Sequence, residues 1–176
     1  MIALDTSWCE RNGNTPASSW GELADIQLAW LQRQIQHAQS FSPPARIILL
    51  THHQMFSAFD GDDLGQYLRP QLKPYLDNGN FYAWFWGHEH RGIVYAPNST
   101  YNFKARCIGH GSFPYAPSTD TPAHAAQFPI TWRENRCEPS NAWYGMRGYA
   151  MLNFAGNALS VDYVDQQGQK AFSENL

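Results

Sequence analysis

Apolar residues recur at helical spacing in the first third of the chain and predict an amphipathic helix. Ser19 followed three residues later by Glu22 has the form of a capping box, so this helix is expected to start at Ser19 and to run through Gln39. The stripe expected to face the core contains Leu23, Ile26, Trp30, Ile35 and Ala38. Leucines spaced four apart predict a second helix over residues 62–79, which Pro70 and Pro74 restrict to a regular part after Arg69.

Apolar runs bounded by turn residues predict strands on both sides of these helices. Strands are expected at residues 1–5, 46–50 and 81–86, and the helix between the last two implies a right-handed crossover that makes them parallel. Shorter runs predict strands at residues 92–96, 101–103, 105–108, 149–154 and 159–164, with a hairpin turn at Ala155-Gly156-Asn157. The expected class is α/β, or α+β by content, with two helices early and mainly antiparallel strands late.

Length and composition indicate one packed domain over residues 1–176. The 176 residues are 43% hydrophobic and 15% aromatic, which is enough for a core. Residues 112–147 are rich in proline, alanine and polar groups, and a long excursion of this kind is typical of a lid, a substrate loop or a partner surface.

Charge, cysteine content and hydropathy exclude several functions. A net charge of −3 gives no basic footprint for nucleic acid, and three distant cysteines predict reduced thiols rather than a disulfide framework. The sequence contains no run of about 20 apolar residues for a membrane span and no basic segment with an apolar core at its start. We therefore expect a cytoplasmic protein with no nucleic-acid or membrane partner.

Histidines follow two of the predicted strands at the point where each strand ends. His52 and His53 come after residues 46–50, and His88 and His90 lie in Gly87-His88-Glu89-His90 after residues 81–86. Ligands of open α/β sheets bind at the carboxyl ends of the strands, and neutral imidazole is a ligand for zinc, iron and manganese. A lone histidine is usually structural, but this arrangement predicts a metal site formed by His52, His88 and His90.

The neighbouring residues are predicted to have supporting roles. Only one of two adjacent residues at a strand exit can face a metal, so His53 is expected to pack behind the ligands. Glu89 is expected to point away from its flanking histidines and to pair with Arg91 or with backbone amides. His110, in Gly109-His110-Gly111, is a candidate for contact with phosphate, and the alternative is a buried strand terminus. Asp5 lies in a buried-strand pattern, where a carboxylate requires hydrogen bonds.

These motifs resemble the C-terminal half of a calcineurin-like metallophosphoesterase. The resemblance is carried by Leu49-Leu50-Thr51-His52-His53 and by Trp86-Gly87-His88-Glu89-His90, with support from Leu4-Asp5-Thr6. It implies the C-terminal half of a four-layer α/β/β/α sandwich that holds two metal ions, manganese, iron or zinc, between two sheets. His52 and His88 would bind one ion and His90 the other. The implied reaction is hydrolysis of phosphomonoesters or phosphodiesters by a metal-activated hydroxide.

The chain departs from the family pattern in its carboxylates. The family's Asp-x-His, Gly-Asp-x-x-Asp and Gly-Asn-His-Asp/Glu motifs do not occur in these 176 residues. Carboxylate oxygens hold two cations close together, so at most one loosely bound ion is expected here, with little or no activity of this chain by itself. Exposed sheet edges would then favour a homodimer or association with a missing N-terminal half.

Two other functions fit the same residues. The first is a non-catalytic half-domain that acts as an interaction or scaffold module. The second is a small single-zinc protein with a His-x-His pair in a cupin-like barrel, against which the two predicted helices argue.

Overall fold

The protein is an α+β structure, seen in a computed structural model that describes residues 1–6, 10–11, 15–16, 21–61, 65–98 and 100–176. The helices in these residues are α1 (Asp25–Gln39) and α2 (Leu68–Asp77). The strands in chain order are β1 (Ile2–Ala3), β2 (Glu10–Arg11), β3 (Thr15–Pro16), β4 (Ile47–Thr51), β5 (Phe81–Trp86), β6 (Gly92–Tyr95), β7 (Lys104–Ile108), β8 (Ile130–Arg133), β9 (Cys137–Glu138), β10 (Asn141–Gly145), β11 (Gly148–Ala155), β12 (Ala158–Asp165) and β13 (Lys170–Asn175).

The central element is a six-stranded mixed sheet with the order β1-β4-β5-β7-β6-β8. β1, β4, β5 and β7 are parallel, whereas β6 pairs antiparallel with both β7 and β8. The predicted parallel pairing of the two histidine-bearing strands is therefore confirmed. β11, β12 and β13 form a separate antiparallel sheet, and the predicted hairpin turn is confirmed, because Ala155 pairs with Ala158 across Gly156 and Asn157.

Helix α1 begins later than predicted and buries a different face. It starts at Asp25, and Ser19 of the expected capping box lies outside the described residues. Leu31 and Ile35 are buried, with Leu28 and Ala38 packed beside them, whereas Ile26 and Trp30 are exposed. The predicted stripe was wrong in part, because a helix on one face of a sheet buries only the residues that meet the strands, and apolar residues elsewhere stay in solvent.

Helix α2 occupies the part of its segment that its prolines allow. Pro70 is the third residue of the helix, where a backbone N–H has no partner within the helix, and Pro74 lies inside it. Leu68 and Leu72 are buried. In the described part of the chain, no helix is long and apolar enough to cross a membrane.

Two apolar clusters give the protein three layers. On one face of the six-stranded sheet, Trp84, Trp86 and Ile93 pack with residues of α1 and α2. On the other face, Ile48, Phe85 and Val94 pack with Leu159, Val161 and Tyr163 of β12. Helices, the six-stranded sheet and the three-stranded sheet therefore lie in that order.

The strand predictions differ from the structure in three segments: residues 101–103, residues 112–147 and the last strand. Residues 101–103 do not form a strand; Tyr101 and Phe103 are buried by ring packing against Phe56. The excursion at residues 112–147 contains β8, β9 and β10, and β8 joins the main sheet at its edge. β13 was not predicted.

A buried ion pair connects the two sheets. The Arg106 guanidinium on β7 donates from Nε and Nη2 to the two carboxylate oxygens of Glu174 on β13, at 2.6 and 2.7 Å. Glu174 also accepts from the Tyr163 hydroxyl at 2.8 Å. Both charged side chains are largely buried, so each depends on the other for compensation.

Replacing Glu174 by Ala is expected to lower the free energy of unfolding by about 3 kcal/mol, because it leaves the buried Arg106 cation without its acid. Lys170→Ala on the same strand removes an exposed pair with Asp162 and is expected to cost less than about 1 kcal/mol. Urea unfolding of the two variants measures the difference. Equal losses would contradict the role of the buried pair.

Candidate metal centre

The parallel pairing of β4 and β5 brings the two histidine loops to one edge of the sheet. Thr51 and Trp86, the last residues of these strands, are paired in register. The His52 carbonyl then accepts hydrogen bonds from the amides of Gly87 and His88, at 3.0 and 2.8 Å. The two loops are therefore joined by their backbones immediately beyond the strands.

Three imidazoles converge at this edge. The ligand nitrogens of His52, His53 and His88 all lie within 4.8 Å of one another. His88 Nδ1 and His52 Nε2 are 3.2 Å apart, and the His53 ring lies 4.7 Å from the His88 ring between centroids. His52 is exposed, His88 is partly buried and His53 is buried, so solvent reaches the group from the His52 side.

His53 is held in place by buried hydroxyls. Its amide donates to Thr6 Oγ1 at 3.0 Å, and its Nδ1 lies 3.0 Å from the same oxygen. The Trp84 indole donates to Thr51 Oγ1, which in turn donates to the His53 carbonyl. A hydrogen bond at one ring nitrogen orients a histidine for a ligand at the other, as is usual for metal-binding histidines.

His90 lies beside this group without belonging to it. Its backbone has a φ of +52°, and its Nδ1 lies 3.0 Å from the Phe113 carbonyl. The sequence predicted His90 rather than His53 as a ligand, because alternation along an extended chain places His88 and His90 on one side. The left-handed conformation of His90 breaks that alternation, and the converging set is His52, His53 and His88.

Burial and the neighbouring imidazoles favour the neutral, metal-binding form of His52 and His88. Burial lowers the pKa of His52, with a further decrease from His90 and an opposing effect of Asp5. Burial also lowers the pKa of His88, with further decreases from His52 and His90 and an opposing effect of Asp60. A lowered pKa leaves more of each ring unprotonated at neutral pH, and only the unprotonated ring binds a metal.

Two carboxylates lie near the histidines, and sequence reasoning missed their position. Asp5, which was expected to be buried, is exposed and acts electrostatically on His52. Asp60 acts on His88 and lies 3.4 Å from Arg91. For Asp5 a signal was available, since it lies two residues after β1, which is parallel to β4 and ends at the same edge. For Asp60 no local pattern marks its position.

Glu89, between His88 and His90, is buried and holds this loop in place by hydrogen bonds. The residue is 3% exposed, and its carboxylate accepts hydrogen bonds from Ser57 Oγ and Trp86 Nε1. Arg91 lies 3.7 Å away, in agreement with the predicted pairing. Burial raises the pKa of Glu89, and the two hydrogen bonds oppose that shift.

Arg91 connects the same loop to the long excursion. It donates from Nε and Nη2 to both carboxylate oxygens of Asp120, at 2.8 Å each, and Arg133 donates to Asp120 from the other side at 2.7 Å. The Arg91 guanidinium also lies 3.9 Å from the centre of the Phe59 ring. The excursion is thereby fixed beside the histidines, and it presents Phe113 and Tyr115, which are 61% and 55% exposed.

Steric space beside the histidine loop requires a glycine at position 109 but not at position 87. A Cβ at Gly87 would have ordinary contacts of 3.7 Å or more, but a Cβ at Gly109 would lie 1.6 Å from the Gly87 carbonyl oxygen. The backbone after β7 therefore passes directly against the histidine loop, and no side chain fits at Gly109.

His110 lies behind the site. It is 2% exposed, and its Nδ1 has no hydrogen-bond partner in the described structure. Its ring fills the space over Gly92 and Gly148, where a Cβ would approach within 3.0 and 2.6 Å. This burial favours a packing role over contact with phosphate and lowers the pKa of His110 to about 4, although Glu134 opposes the shift.

His110 is expected to make stability depend on pH. Between its unfolded pKa near 6.5 and its folded pKa of about 4, the unfolded chain binds a proton that the folded chain does not. Stability is therefore lost as the pH falls through this window, by about 3.5 kcal/mol at roughly 1.4 kcal/mol per pKa unit. Urea unfolding across these pH values should show a shallower decline in His110→Gln, whereas the exposed His37→Gln should follow the parent. An unchanged slope in His110→Gln would contradict this assignment.

The donor set fits one transition-metal ion better than two. Three converging imidazoles could bind one transition-metal ion, but in the described residues no carboxylate belongs to the converging group that would bridge a pair of cations. A scan of protein-family models finds no match to this chain, and a search of curated proteins finds none either.

Proposed function

We propose that this chain forms the histidine part of a metal-dependent phosphoesterase of the calcineurin-like type. The observation that carries the proposal is the convergence of His52, His53 and His88 within 4.8 Å at the carboxyl edge of parallel strands. The helix, sheet and sheet layers support the implied α/β/β/α sandwich, of which they would be three layers.

The histidines would hold the ion, the residues around them would orient the imidazoles, and the ion when bound would act as a Lewis acid. A bound divalent ion stabilises negative charge that develops on phosphoryl oxygens. The Thr6 and Thr51 hydroxyls fix the His53 loop, Glu89 and Arg91 fix the His88 loop, and the excursion limits one side of the site. Because no carboxylate bridges a second ion within this group, we expect one ion per chain and weak turnover.

His88→Ala is expected to weaken metal binding at least 100-fold, since loss of even an outer partner of a metal ligand costs about 10- to 100-fold. Calorimetric titration of the full chain with Zn²⁺ and Mn²⁺ measures affinity, and hydrolysis of bis-p-nitrophenyl phosphate measures turnover. His37→Ala, an exposed histidine on α1, is the matched control and should behave as the parent. Binding that survives His88→Ala would refute the metal centre.

Metal binding without turnover would leave the metal centre intact and would mean that this chain does not catalyse the reaction by itself. A non-catalytic interaction function would then be the stronger candidate. The observation that favours it is β11, whose Tyr149 and Met151, two residues apart and therefore on one face, are about half exposed. A small zinc barrel is disfavoured, because α1 and α2 cover one face of the main sheet.

The ligand set is tested by comparing His53→Gln with His90→Ala. The geometry predicts that the His53 change weakens Zn²⁺ binding about as much as loss of His88, and that the His90 change weakens it by less than about 10-fold. Circular dichroism establishes that the buried His53→Gln variant is folded. The reverse order of affinities would favour His52, His88 and His90 as the ligands.

A further inference from the structure

A large cavity lies at the opposite edge of the sheet from the histidines. Its volume is about 790 Å³, within the range of about 300–1,000 Å³ typical of small-molecule sites. Its walls include Ile47, Phe81 and Lys104, the first residues of β4, β5 and β7. Since β5 has six residues at about 3.3 Å each, this cavity lies roughly 17 Å from the histidine loops and is a separate site.

Positive charge is concentrated in this cavity although the whole chain has a net charge of −3. Arg46, Lys104 and Arg106 line it, and among the described residues no aspartate or glutamate does. Arg106 is neutralised by Glu174. Within the described part of the chain, neither Arg46 nor Lys104 forms a salt bridge, although the Arg46 guanidinium donates to the Asn157 carbonyl, so neither cation has an acidic partner.

One aromatic ring holds both of these cations. The Arg46 guanidinium lies 4.4 Å, and the Lys104 ammonium 4.2 Å, from the centre of the Tyr82 ring. Cation–π attraction keeps each of them on the ring, but it does not remove the repulsion between two like charges held this close. An anion beside Tyr82 would attract both cations and relieve that repulsion.

The remaining walls suit an organic body rather than a bare ion. Tyr101 and Phe103 are 8% exposed and pack against Phe56, so only a small part of each ring reaches the cavity, and the exposed Asn102 side chain lies between them in the chain. Aromatic side chains can pack edge-to-face against a planar ring, and an amide can hydrogen-bond to the polar edge of that ring.

We infer that this cavity binds a small organic anion, with its anionic group beside Arg46 and Lys104 and a planar polar ring against Tyr101 and Asn102. A nucleoside monophosphate has this chemistry and a size that the cavity accommodates. The inference does not depend on the metal centre, because no predicted metal ligand lines the cavity.

The test is calorimetric titration of the full chain with adenosine 5′-monophosphate in the presence of EDTA, in parent and His88→Ala backgrounds. Saturable binding of one nucleotide per chain is expected in both. Lys104→Met should weaken it about 10-fold, the effect of losing one charge-assisted hydrogen bond. Lys73→Met, which removes an exposed lysine paired with Asp77 on α2, is the matched control and should leave binding unchanged.

Other outcomes would overturn the inference. Binding that is lost in His88→Ala but retained in Lys104→Met would assign the nucleotide to the histidine site. Inorganic phosphate that binds as tightly as the nucleotide would refute the organic part of the ligand, and no saturable binding of either would refute the site. Arg46→Met provides a second variant should Lys104→Met alter the melting temperature.

Discussion

The parallel pairing of β4 with β5 is the constraint on which the candidate site depends. Because Thr51 is in register with Trp86, both chains leave the sheet at one level, and the His52 carbonyl accepts two amides of the opposite loop. A shift of one residue in this register would turn the following side chains to other faces. The convergence of the three imidazoles thus depends on strand register together with the hydrogen bonds that hold the loops of His53 and His88.

Hydrogen bonds and ion pairs of buried charged side chains hold the loops beyond the strands in place. Glu89 accepts from Ser57 and Trp86, and Arg91 is bound by Asp120, which also binds Arg133. Ionised groups at this depth are stable only when each has its partners. Because those partners come from the α2 side of the sheet and from the excursion, the network fixes the long segment at residues 112–147 next to the histidines.

The two ends of the main sheet carry opposite chemistry. The carboxyl edge has neutral imidazoles with Asp5 and Asp60 nearby, an environment suited to a cation. The amino edge has Arg46 and Lys104 around Tyr82, an environment suited to an anion. One set of strands therefore positions both candidate sites, and the buried Arg106–Glu174 pair holds the second sheet behind them.

The sequence by itself determined the α+β class, the parallel histidine-bearing strands and the hairpin at Gly156, because these follow from local apolar runs and turn residues. It also placed His52 and His88 at the ends of these two strands. Only the tertiary structure decided that His53 joins them, since the left-handed backbone of His90 and the hydroxyl of Thr6 arise from packing between distant segments. The exposed face of α1, the strands within residues 112–147 and the cavity at the amino edge were decided in the same way. Each depends on which surfaces meet, and spacing along the chain does not specify that.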